Sequence, residues 1–198
     1  MEYGFCALLA RMNYIDRWGL MRNTRTETLS EHSLMTAVIA HILSCTANEL
    51  YSADVNEGRV AIAALYHDAS EIITGDLPTP VKYENDMINA EYKKVEHRAV
   101  ERLCSLLPNE LRSRVMPSLT GEELTKRERA IIKAADKLSA LIKCIEEAQN
   151  GNREFRTAEV QTRKVIEANE LPETKYFCDT FLSSYTKTLD ELLGEENL

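Results

Sequence analysis

Ala61-Ile62-Ala63-Ala64-Leu65-Tyr66-His67-Asp68-Ala69-Ser70-Glu71 is the stretch on which the fold and its chemistry turn. An apolar run leads straight into an imidazole and a carboxylate, and a second carboxylate follows at Glu71. Neighbours on a helix stand about 100° apart, so His67 and Asp68 lean toward one point. Glu71 follows His67 by four residues and Asp68 by three, which places it on the same side one turn along. Imidazole with carboxylate suits divalent Mn, Fe, Co, Ni or Zn. A His-Asp dipeptide alone is weak, since it arises by chance and is usually solvated on a helix surface. The apolar run before it raises its weight by setting the pair at the end of a buried stretch.

Outward from this stretch the pattern is helical. Asn56 caps the helix, whose face includes Val60, Ala63, Ala64 and Ile72. Thr74-Gly75-Asp76-Leu77-Pro78-Thr79-Pro80 packs one Gly and two Pro into seven residues and reads as a rigid loop. Upstream, Thr28 and Glu31 have capping-box spacing ahead of the apolar run Leu34–Leu50. Leu34, Val38, Ile42 and Cys45 form its expected apolar stripe. Residues 2–12 give a short apolar helix. Downstream, a long helix over about 86–107 ends at Pro108, and a second proline turn is expected near Pro117. Residues 122–149 form a long amphipathic helix stopped by Asn150-Gly151. Two more helices cover roughly 153–169 and 173–193. No strand pattern of convincing length and no repeat interrupts this. The expectation is an all-α, single-domain helical bundle over 1–198, with the site built from about 16–140.

The 198 residues carry a net charge of −8 and only 7 Gly and 5 Pro. One domain of ordinary size accommodates them. An acidic chain without a basic stripe argues against a polymeric nucleic-acid partner. An anionic small substrate would need local cations, which makes a metal site more interesting. The five cysteines are scattered, with no CxxC pair. They read as free, mostly buried thiols of a cytoplasmic protein rather than as a disulfide framework or as nucleophiles. No apolar run reaches the roughly 18 residues of a membrane span, and the N-terminus is no secretory signal.

Metal ligation needs other helices to contribute. His32 opens one helix within Ser30-Glu31-His32-Ser33. Asp136 lies within the apolar face Ile131–Leu138, where an unpaired carboxylate is costly. Ligands on three helices can converge in a bundle core. Each residue also has a plainer reading. Asp136 fits a pair with Lys133 or Lys137, and His32 a capping contact. Arg17 fits a surface charge, Trp18 a core anchor, and Glu71 a solvated acid. His41 falls on the opposite helix face from His32. His97 sits in the charged segment Glu91–Glu101, and Lys126–Glu128 reads as an exposed charged face.

The order His32…His67-Asp68…Asp136 resembles the H…HD…D signature of the HD-domain phosphohydrolase superfamily. Asp16-Arg17-Trp18-Gly19-Leu20-Met21-Arg22-Asn23, Glu31-His32-Ser33-Leu34, Tyr66–Glu71 and Thr74–Tyr83 resemble the bacterial HD-domain 5′-deoxynucleotidases. The loop Gly75-Asp76-Leu77-Pro78-Thr79-Pro80-Val81-Lys82-Tyr83 is more specific than the ligand pattern. The resemblance runs nearly the whole chain, least over the C-terminal third. It implies hydrolysis of a 2′-deoxynucleoside 5′-monophosphate to deoxynucleoside and phosphate. It also implies a divalent metal on His32, His67, Asp68 and Asp136, with Co, Mn or Cu as activators, and a homodimer. Glu71 then orients or deprotonates the attacking water or protonates the leaving oxygen, and Arg17 holds the phosphate. Trp18 walls the sugar. The nucleotide also meets Asp76, Leu77, Pro78 and Thr79, beside the ligand side chains His32, Asp68 and Asp136. An HD phosphodiesterase or triphosphohydrolase on another nucleotide, and a non-catalytic nucleotide-binding module, are the alternatives.

Overall fold

The structure is a computed structural model, and it describes residues 3–78 and 84–194. Helices α1 (Phe5–Leu9), α2 (Leu29–Tyr51), α3 (Glu57–Tyr66) and α4 (Glu71–Thr74) form the first half. The second half holds α5 (Asp86–Ser105), α6 (Asn109–Thr120), α7 (Lys126–Gln149), α8 (Arg156–Glu167), α9 (Pro172–Phe181) and α10 (Leu189–Leu193). Short 3-10 turns follow α1 (Ala10–Tyr14) and α9 (Leu182–Thr186). Among the described residues there is no strand, only one isolated antiparallel bridge between Asp16 and Thr28. The all-α expectation holds.

The caps read from sequence are present. Thr28 and Glu31 form a complete capping box at α2, and Asn56 accepts from the Arg59 amide at α3. Both satisfy amides that a helix start leaves without intrahelical partners. A further capping box at Thr125 and Glu128 starts α7.

Helix α2 is the centre of the molecule, packed against α3, α7 and α9. Its small residues Ala37, Ala40 and Ala47 let these helices come close, while Ile39 and Leu43 fill the space between them. From α7, Ile131, Ala135, Leu138, Leu141 and Ile145 complete this core. Each Leu or Ile fully buried there contributes about 1.5–3 kcal/mol. A second cluster joins Phe5, Ala69, Leu103, Cys104, Leu107 and Leu119. The turn after α3 lies where the two clusters meet, since Ala63 and Ala64 belong to the first and Ala69 to the second.

Several expectations fail in instructive ways. The stripe Leu34, Val38, Ile42 and Cys45 faces the core only in part: Leu34 is 56% and Val38 48% exposed, whereas Ile42 packs half-buried against the main core and Cys45 is half-buried. The buried arc of α2 runs instead through Leu29, His32, Thr36, Ile39 and Leu43, because three neighbours enclose the side carrying the small and polar residues. The stretch before His67 is only half buried, with Ile62 and Leu65 exposed. Pro117 makes no turn and lies inside α6, whose stop is Gly121 at φ 65°. A left-handed helix end of this kind suits glycine. The expected 173–193 helix is broken between α9 and α10. Glu128, expected on an exposed face, is fully buried: it accepts from the amides of Asn56 and Thr125 and from Arg59 at 2.7 Å. Only Cys104 and Cys144 of the five free cysteines are buried. Cys45 in turn lies 3.7 Å from His41, a helical i, i+4 contact.

Candidate active site

The helix expected to carry His67 through Glu71 stops at Tyr66. Residues 67–70 form tight turns, with the Ala69 amide bonded to Tyr66 O and the Glu71 amide to Asp68 O. Glu71 then opens α4. The break matters because it turns the pair out of the helix and lets Glu71 be buried, only 6% exposed, instead of solvated.

His32 is completely buried in the first turns of α2. Its Nδ1 lies 3.1 Å from Ser139 Oγ on α7, and its Nε2 lies 3.2 Å from Asp136 Oδ1 and 3.7 Å from Asp68 Oδ2. His67 donates from Nδ1 to Ala64 O at 2.7 Å, which leaves Nε2 as the atom that could hold a metal, 3.0 Å from Asp68 Oδ2. The donor atoms of His32, His67 and Asp68 all lie within 4.8 Å of one another. The plainer pairing of Asp136 is also present, since Lys137 Nζ sits 2.9 Å from its Oδ2. One carboxylate therefore faces two ways.

This donor set fits a divalent cation. Donors about 2.1 Å from a common ion stand roughly 3.0–3.5 Å apart, close to the separations seen. His67 Nε2 is buried without a hydrogen-bond partner of acceptable geometry, so it points at a common space rather than along a bond to Asp68. Ser139 and Ala64 O hold the far nitrogens of the two rings, which fixes their orientation. Electrostatics agree. Burial lowers the His32 pKa and favours the neutral ring, against the hydrogen bond with Asp136. Burial would lower His67 as well, but the negative charges of Asp68, 3.0 Å away, and of Asp136 push it up to about 9. Burial raises Asp68 and Asp136, yet their histidine partners outweigh it and hold Asp68 at about 2, with Asp136 far below the usual carboxylate range. Two carboxylates that stay ionised among buried groups call for compensating positive charge.

The opposite wall is irregular. Residues 15–28 form a loop closed by the Leu29 amide on Ile15 O at 2.8 Å and the Arg17 amide on Glu27 O at 2.9 Å. Its outer limb is tied to α7: Glu147 accepts from Thr24 N at 2.9 Å and from Thr24 Oγ1 at 2.8 Å. Arg17 is no surface charge. Its side chain is 13% exposed, and charge interactions tie it to Glu27, Asp68, Asp136 and Asp76. Trp18 packs at a tilt of 59° against buried Phe155, ring centroids 5.2 Å apart, so it anchors packing as well as lining the wall. It takes φ 59°, a left-handed conformation rare for a bulky residue and costing of order 1–3 kcal/mol. Asp76 accepts a hydrogen bond from the Trp18 backbone, and burial raises its pKa against the pull of Arg17. Leu77 and Pro78 are half-buried, and Thr79 lies outside the described residues. His41 and His97 lie exposed, outside the site. Glu27 and Ser139 were missed from sequence. Asp136 and Ser139 stand three residues apart on α7, a spacing that would have flagged Ser139.

A His–His–Asp–Asp cluster, with His32 buried and the other three half-buried, set between two helices and a helix-breaking turn in an all-helical bundle, is the arrangement expected of HD-domain phosphohydrolases. The sequence profile of the YfbR-like family, described as 5′-deoxynucleotidase YfbR-like, matches residues 4–185. A 5′-deoxynucleotidase of Erwinia tasmaniensis is 46% identical over 191 residues, covering 96% of each chain. A crystal structure of an HD-domain phosphohydrolase from Listeria innocua aligns with TM-score 0.78 at 26% identity, over 97% of this chain and 95% of that one. A cyanophage S-2L HD phosphohydrolase, solved with dA and one catalytic zinc ion, shares the fold at TM-score 0.64 and 17% identity, over 90% and 96%. The chain belongs to the YfbR-like family of 5′-deoxynucleotidases.

Proposed function

We propose that the protein hydrolyses 2′-deoxyribonucleoside 5′-monophosphates to deoxynucleosides and phosphate, with a divalent metal held by His32, His67, Asp68 and Asp136. The observation that carries this reading is the convergence of these four side chains opposite buried Arg17, Trp18 and Asp76, in a chain whose relatives carry that activity in their names. A bound metal supplies Lewis-acid polarisation of the phosphate and a water of lowered pKa. The protein side chains do the rest. Arg17 offers a guanidinium for two phosphate oxygens. Glu71, buried next to the ligand turn, orients or deprotonates the attacking water, or protonates the leaving oxygen. The P–O5′ bond breaks as the new P–O bond forms, and O5′ leaves with a proton as the 5′-hydroxyl. Trp18, Asp76, Leu77 and Pro78 form the sugar side of the pocket, and Thr79, outside the described residues, is assigned to substrate contact by the family resemblance alone. A wall of this kind refuses a 2′-hydroxyl by fit or by leaving it unpaired.

Cobalt and manganese, with copper next, are the activators the family resemblance implies; the imidazole and carboxylate donors by themselves suit divalent Mn, Fe, Co, Ni or Zn alike. We assign the protein to a homodimer, because α2 leaves Leu34 and Val38 exposed and α3 leaves Ile62 and Leu65, apolar surface that a second copy would cover. The five free thiols fit a reducing cytoplasm. No helix among the described residues is long and apolar enough to cross a membrane.

The test is phosphate release from dAMP and AMP by chelated protein to which cobalt or manganese is returned. Phosphate from dAMP in clear excess over AMP is expected. Release of pyrophosphate or triphosphate from longer nucleotides, with none from dAMP, would overturn the reading.

A further inference from the structure

Glu27 is one of the few buried carboxylates with no place among the ligands or the catalytic groups. It is 7% exposed and stands just before the Thr28 cap of α2. One of its oxygens, Oε2, accepts from Arg17 Nη1 and from Trp18 Nε1, each at 3.0 Å. Its backbone carbonyl accepts the Arg17 amide. The residue therefore grips Arg17 by main chain and side chain and ties the Trp18 indole to the same atom.

We propose that Glu27 is the positioning residue that couples the phosphate anchor Arg17 to the sugar wall Trp18, so that phosphate affinity and rejection of the ribose are set through one carboxylate. The inference rests on Arg17 and Trp18 being the substrate-binding pair. Three observations support it. Glu27 engages the Arg17 guanidinium at Nη1 alone, so one carboxylate orients the fork without using all of its donors. Trp18 is held in its left-handed backbone conformation by Asn23 Nδ2 and the Met21 amide on its carbonyl and by Asp76 at its amide. Glu27 fixes the far end of the side chain, and Phe155 backs its face. A ring fixed at every end is one that can exclude a single hydroxyl. Finally, Glu27 approaches His32 only at Nδ1, at 4.0 Å, whereas Asp68 and Asp136 approach Nε2. Glu27 lies on the side of that ring away from the ligand cluster, so it acts on the substrate wall and not as a fifth ligand.

Trp18 is the only tryptophan, so its fluorescence reports on this link directly. With cobalt saturating, E27Q is expected to raise KM for dAMP about tenfold or more, the loss of one charged hydrogen bond. The dAMP-to-AMP ratio of kcat/KM should fall severalfold. The kcat for dAMP and the affinity for cobalt by calorimetry should stay within about twofold. Acrylamide should quench Trp18 more readily in metal-free, nucleotide-free E27Q. W18F removes the indole N–H but keeps a ring. E27Q added to W18F should then lower the dAMP-to-AMP ratio less than it does in the wild type. Wild-type KM and ratio in E27Q, with R17A and W18A impaired, would overturn the Glu27 proposal and leave the functional reading intact. A loss of cobalt binding in E27Q overturns it too, because Glu27 would then act through His32. Wild-type kinetics in R17A and W18A would remove the underlying reading instead. If E27Q does not fold, W18F alone decides: a ratio like the wild type overturns the coupling.

Discussion

The helical wall of the site and its irregular wall are held by opposite means. His32 and Asp136 sit on α2 and α7, where Ala135 and Leu138 on either side are fully buried in the main core. Packing locks their rotamers, and the contact between His32 Nδ1 and Ser139 Oγ fixes the far side of the ring. Arg17 and Trp18 have no helix behind them. Their loop is held by carboxylates: buried Glu27 at its base, half-buried Asp76 at the Trp18 amide and buried Glu147 at its outer limb. The contrast teaches that a rigid pocket can be built without regular structure if enough buried polar groups are satisfied, and that such a wall is the more sensitive to single substitutions.

The comparison breaks most visibly at the ligands. Asp136→Ala should abolish phosphate release and tight metal binding together, read by calorimetry and phosphate assay, while the core of α7 keeps the protein folded. Metal binding retained at wild-type affinity would remove Asp136 from the ligand set. Glu71→Ala should cost about 10²–10⁴-fold in kcat while metal and dAMP still bind. Turnover at the wild-type rate would show that no general base sits there.

The irregular wall should yield first in stability. Lys143 Nζ donates to Glu147 and to Arg25 O, and both side chains are almost fully buried. Glu147→Ala strands that ammonium and should cost about 3–5 kcal/mol, seen as a lowered denaturation midpoint. Burial opposes it, but Lys143, Asn152 and Thr24 pull the Glu147 pKa from 4.5 down to about 2. A depressed carboxylate stabilises the fold above its unfolded pKa, near 4.5, and loses that contribution as pH falls toward 2. The loss is about 3 kcal/mol in full. Acid titration of wild type and Glu147→Ala should therefore converge over that window, and parallel curves would contradict the assignment. The smallest effect belongs to the exposed face of α2. Leu34→Ser should change monomer stability by no more than about 0.5 kcal/mol, against about 2–5 kcal/mol for Leu43→Ala. In sedimentation the same Leu34 change should weaken self-association if that face is the dimer surface.

Much of this was legible before any coordinates. The helix starts at Thr28 and Asn56 were readable because a cap is a local bargain between a side chain and the next three amides. His32, His67, Asp68 and Asp136 were readable as a set only through the order they share with a known family, since each of them taken alone also had a plainer reading. The exposed stripe of α2 was not, since Leu34 and Val38 obey helical periodicity as well as Leu29 and Leu43 do; which side is covered depends on where α3, α7 and α9 lie. Nor was the break after Tyr66, because no Gly or Pro marks it and the turn is stabilised by the meeting of two cores around Ala69.

By itself, then, the sequence determined the all-α class, the caps and the identity of the chemical groups, all of which rest on interactions within a few residues. Only the tertiary structure decided that Glu27 joins Arg17 to Trp18, that Ser139 orients His32 and that Glu128 is buried under Arg59. Those contacts link helices and loops far apart in the chain or lie in a segment without periodicity. Hydrogen-bond partners chosen by packing leave no local pattern to read.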